Sequence, residues 1–84
     1  MAEHVEPPTR VQVVEQLRRL LAGDISREEV SLWASPWATR FDEIEDARVR
    51  EAIDQLSGAD TPTTDRPYLF MEVDFEEWLR ELTA

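Results

Sequence analysis

Four carboxylates, Asp42, Glu43, Glu45 and Asp46, crowd one short stretch and form the densest group of chemically capable side chains in the chain. Hard oxygens that converge on one point could hold Mg²⁺ or Ca²⁺. The calcium-loop spacing, however, requires alternating oxygens around a central glycine and a distal glutamate. This run has no glycine, and Arg40 and Arg48 flank it. It reads as a solvated connection that feeds a helix N-terminus, where negative charge is favourable. Paired carboxylates can also do acid–base work when one of them is buried or crowded. The pairs Glu28-Glu29 and Glu76-Glu77 instead lie at exposed helix starts, where capping accounts for them. His4 is the lone histidine, cysteine is absent, and Gly23 and Gly58 are the only glycines. Thiolate chemistry, an activated serine and a glycine-rich phosphate loop all lack their parts. No catalytic, cofactor or metal site is expected, and the chain reads as a non-enzyme.

The aromatic residues carry the remaining chemistry. Trp33, Trp37 and Trp78 are many for 84 residues, and filling a small core is their ordinary use. Trp37 follows Pro36 and is expected to stay partly exposed as an interface anchor beside the acidic run. Tyr68 and Phe70, in an extended segment, are the next candidates. The residues expected to meet a partner are therefore Trp37, Asp42, Glu43, Glu45, Asp46, Tyr68 and Phe70.

The elements that would position these residues are read from caps and periodicity. Residues 1–8 form a polar, proline-ending tail expected to be disordered, and residues 9–84 a single helical domain. Thr9 and Gln12 make a capping box ahead of Val13, Leu17 and Leu20, and Gly23 stops this first helix. Ser26 and Glu29 make a second capping box, with Ile25 placed to staple onto Val30. Pro36 is expected to end or kink the second helix. Asp46 (or Glu45) opens a third helix with Val49, Ala52, Ile53 and Leu56 inward, and Gly58 closes it. Residues 67–73 read as an extended crossing. Asp74, boxed by Glu77, is expected to cap a last helix that turns Phe75, Trp78, Leu79 and Leu82 inward. The expected fold is mainly all-α, a small four-helix domain with one extended segment.

The formal charge of −10 argues against a direct nucleic-acid contact, because phosphate binding needs a basic face. It also disfavours anionic membranes. The first two helices have roughly the spacing of a helix-turn-helix, but the second starts with Arg27-Glu28-Glu29 and would present acid to phosphate. All nine basic residues are arginine, as a GC-rich genome would favour. No stretch approaches the roughly 20 apolar residues of a membrane span, and the start has no signal-peptide core, so the cytoplasm is expected.

The run Ile25-Ser26-Arg27-Glu28-Glu29-Val30 with Trp33-Ala34, then Ala59-Asp60, Tyr68-Leu69 and Asp74-Phe75-Glu76-Glu77-Trp78-Leu79, resembles a family of small uncharacterised actinobacterial proteins. That resemblance implies a fold and no activity. In size, charge and architecture the chain is also similar to the immunity proteins that neutralise bacterial nuclease toxins. The combined expectation is an acidic interaction domain, a monomer or weak dimer, that binds a protein partner with a basic surface. The alternative is an accessory subunit that oligomerises through an apolar patch.

Overall fold

The computed structural model describes residues 6–65, 67, 68 and 70–84. Four α-helices follow in order: α1 (Arg10–Ala22), α2 (Arg27–Ala38), α3 (Ala47–Ser57) and α4 (Glu72–Thr83). A short 3-10 helix, Phe41–Glu43, lies between α2 and α3. No strand occurs among the described residues, so the all-α expectation holds. No helix is long and apolar enough to cross a membrane. His4 and most of the expected tail lie outside the described residues, while Pro8 is already buried.

The caps explain where the helices begin and end. The Thr9 hydroxyl accepts from the Gln12 backbone N–H, and the Gln12 carboxamide accepts from that of Thr9. Ser26 and Glu29 exchange the same pair of bonds at α2. Gly23 takes the left-handed conformation, φ 81°, which a side chain would strain, and its N–H satisfies the carbonyls at the end of α1. Asp46 caps α3 through the Arg48 N–H at 2.9 Å.

Two expectations fail at prolines and caps. Pro36 does not end α2, whose run continues to Ala38. The donor it lacks would have served the carbonyl of Leu32, and both residues face solvent, where a missing helix bond costs least. The last helix starts at Glu72, so residues 72 and 73 are helical and the extended segment is shorter than expected. Asp74 is not the cap residue. Its carboxylate reaches back to accept the Met71 N–H at 2.8 Å, which places it three positions inside the boundary.

In the packing, α2 lies chiefly on α3, and α1 chiefly on α4. Val13 and Leu17 of α1, Val30 of α2, Ile53 and Leu56 of α3, and Phe75 of α4 are essentially sealed from solvent. Polar ties join the helix ends. The Ser31 hydroxyl donates to the Ser57 carbonyl at 2.7 Å, and Arg48 pairs with Glu81 at 3.0 Å. Every polar side-chain atom buried among the described residues has a partner.

Candidate functional site

Trp37 is the first of the expected partner-facing residues to be corrected. It is only 7% exposed, because α2 continues through Pro36 and carries it inward, two turns after Val30 and one turn after Ala34. The Arg40 guanidinium lies 4.5 Å from its ring centroid and also binds Glu43, which covers what remains of the ring. No exposed aromatic anchor exists there.

The four carboxylates do not converge. Asp42 and Glu45 are exposed. Glu43 is held by Arg40. Asp46 accepts two bonds from Arg10, at 2.9 and 3.1 Å, besides capping α3. Burial pushes the Asp46 carboxyl up, but the hydrogen bonds from Arg10 and Arg48 and the Arg10 charge outweigh it and hold the group below its ordinary value. Two of the four acids thus serve the fold. Among the described residues no group of three or more His, Cys, Asp or Glu could hold a metal ion.

Tyr68 and Phe70 are half-buried, and both are occupied. Arg27 lies 4.0 Å from the Tyr68 ring centroid and 5.0 Å from that of Phe75. Its Nη1 donates to the carbonyls of Ala59 at 2.9 Å and Phe70 at 2.7 Å. One guanidinium from the first turn of α2 therefore pins the segment between α3 and α4. Phe70 meets Trp78 edge-on at 5.0 Å. Nothing in the spacing around Arg27 signals a clamp, since its partners are backbone carbonyls far along the chain.

The surface that sequence reasoning passed over is on α1. This helix carries Arg10, Arg18 and Arg19 against one acid, Glu15, and so has a surplus of two positive charges. The arginine and the two glutamates of α2 leave it negative, α3 balances, and α4 sets five acids against Arg80. Arg10 is engaged with Asp46. Arg18 and Arg19 are exposed, and among the described residues their guanidinium groups form no hydrogen bond or ion pair. Arg10, Arg18 and Arg19, together with the acids Glu15 and Asp24 and the apolar Val11, Val14 and Leu82, line an open groove of about 760 Å³ between α1 and the end of α4. The signal was present as a cluster of basic residues in one helix, masked by the net charge of the whole.

The fold and this surface define a small all-α domain whose first helix alone among the four α-helices carries more cations than acids. A profile of the family described as YxzC DNA-binding protein matches residues 4–82, and the chain belongs to that family. It is similar to the uncharacterized protein YxzC of Bacillus subtilis, with 32% identity over 74 residues. The match covers 87% of this chain and 61% of that protein, so the chain spans about three fifths of the length of its relative. No solved structure matches significantly. The family's description overturns the expectation of an acidic protein-interaction or immunity domain, and with it the exclusion of direct nucleic-acid contact. The physical reason is that a net charge sums over the surface, whereas a phosphate meets only the charges within about a Debye length, roughly 8–10 Å in physiological salt.

Proposed function

We propose that this chain binds DNA and does so through α1. The observation that carries the reading is the pair Arg18 and Arg19, exposed and, among the described residues, uncommitted on the one α-helix with a positive surplus. Guanidinium groups suit phosphate because they offer planar, forked donors that stay charged. The family's description points the same way. α4 carries the largest excess of acid, so α1 faces the duplex with the acidic side of α4 turned away. The chain acts by binding and not by catalysis, and a cytoplasmic location goes with this role.

The charge count also sets the expected strength. Each phosphate contact on a duplex contributes a slope of about −0.9 in log affinity against log salt, so two contacts give about −1.8. Raising salt from about 50 to 200 mM should then weaken binding about twelvefold, far less than for a strongly basic protein. The test is fluorescence anisotropy of a labelled duplex against the full chain across that salt range. The double variant Arg18→Ala, Arg19→Ala, checked for native helicity, should bind no more than marginally. Absence of binding at the lowest salt, or unchanged binding by that variant, overturns the proposal.

A further inference from the structure

The outward stripe of α1 is not built for phosphate alone. Val11, Glu15, Arg18 and Ala22 follow at intervals of four, three and four residues and share one face. Val11 is 75% exposed, which is unusual for a valine so close to the sealed Val13. Successive helix positions turn by about 100°, so Arg18 lies along this stripe and Arg19 to one side of it. Glu15 sits at its middle and would repel a phosphate placed there. Base edges are a different matter, because a carboxylate accepts from the cytosine amino group and an apolar side chain packs on the thymine methyl.

Taking the DNA-binding reading as its basis, we infer that α1 enters the major groove of duplex DNA. Val11 and Glu15 face base edges there, and Arg18 and Arg19 hold phosphates at the groove wall. The competing nucleic-acid forms fit the stripe less well. A helix about 10–12 Å across does not enter a minor groove about 6 Å wide. The major groove of A-form RNA is too narrow for side-chain reading. Single strands are gripped by stacking on aromatic faces. No aromatic residue lines the α1 groove. Of the half-buried rings elsewhere, Tyr68 lies under Arg27, Phe70 and Trp78 pack on each other, and Trp33 and Phe41 pack against the core.

The test compares random-sequence duplexes of about 20 base pairs containing thymine with the same duplexes containing uracil, which lacks the methyl group that only the major groove displays. Removing one buried methyl should weaken binding about fourfold. Val11→Ala should erase the difference between thymine and uracil while leaving the salt dependence intact. Single strands of the same length should bind more weakly than either duplex. If no duplex binds, the DNA reading itself fails. If duplexes bind but uracil and thymine are equivalent, or single strands bind as well, the major-groove inference alone falls. Sedimentation of the chain without DNA supplies the remaining arm, since a dimer abolished by Val11→Glu would assign the stripe to a second copy and overturn the inference.

Discussion

The first and last helices lie against each other and present opposite surfaces. α1 carries a surplus of positive charge and leaves Arg18 and Arg19 uncommitted among the described residues, whereas α4 carries five acids against Arg80. Their inner faces are alike, with Leu17 of α1 and Phe75 of α4 both sealed. The difference teaches that the two faces of an amphipathic helix answer to separate demands. The inner face is fixed by packing, while the outer face is free to set the local field. A chain with a charge of −10 can therefore hold a cationic helix, provided the acids lie elsewhere.

The largest expected effect tests the inner faces. Phe75→Ala should cost about 3–5 kcal/mol in urea unfolding, the range for emptying a buried aromatic site. Val11→Ala, on the outer face of α1, should stay within about 0.5 kcal/mol. Similar losses for both would break the division between packing face and working face. The next effect tests the outer faces. Reversing both charges with Arg18→Glu and Arg19→Glu should remove about 2–3 kcal/mol of DNA affinity, since a hydrogen bond to a charged group contributes about 1.5 kcal/mol or more. Neutralising Glu76 and Glu77 to glutamine should change that affinity less than about twofold, because they are not expected to face the duplex. A large gain there would place the DNA nearer α4.

The smallest effect concerns how α1 is anchored. Asp46 ties it to α3 through Arg10, and its carboxyl lies below its ordinary value. A lowered folded pKa means that the pairing contributes at pH above the range where an unfolded aspartate titrates, and fades as pH falls through the lowered value. Asp46→Asn keeps a capping side chain but removes the charge. At neutral pH it should cost at most about 0.5 kcal/mol, as for a partly exposed ion pair. That gap should close on acidification, and chemical denaturation at several pH values reads it directly. A gap that persists at low pH would mean that the ion pair is not its source.

Much of the fold was legible because local chemistry marks helix ends. Thr9, Ser26 and Asp46 are capping residues whose hydrogen bonds span two or three positions, so spacing alone exposes them. The start of α4 was misread because Met71-to-Asp74 and Asp74-to-Glu77 are equally good on spacing, and only packing chooses between them. Placing the end of α2 at Pro36 was the error, because the cost of a proline depends on which side of the helix it occupies. The fate of Trp37 followed from that error, since an unbroken helix turns it inward. The candidate site was harder. The acidic run stands out through density, yet Asp46 and Glu43 are spent on Arg10 and Arg40. The arginines of α1 were visible one by one but were outvoted by a sum over the whole chain. The family level of the resemblance holds. The comparisons support neither an actinobacterial source nor a likeness to immunity proteins.

The Arg27 clamp also has an optical side. Trp78 meets Phe70 and Phe75 edge-on at 5.0 and 5.3 Å, and Arg27 holds the carbonyl of Phe70. The water around this indole is thus set by whether the segment before α4 stays docked, while Trp37 is kept dry by the core whatever that segment does. Indole emission moves to longer wavelength as water gains access to the ring. Beside the half-buried Trp33, the intrinsic fluorescence of the chain therefore contains a steady component from Trp37 and a component from Trp78 that reports on one guanidinium's grip.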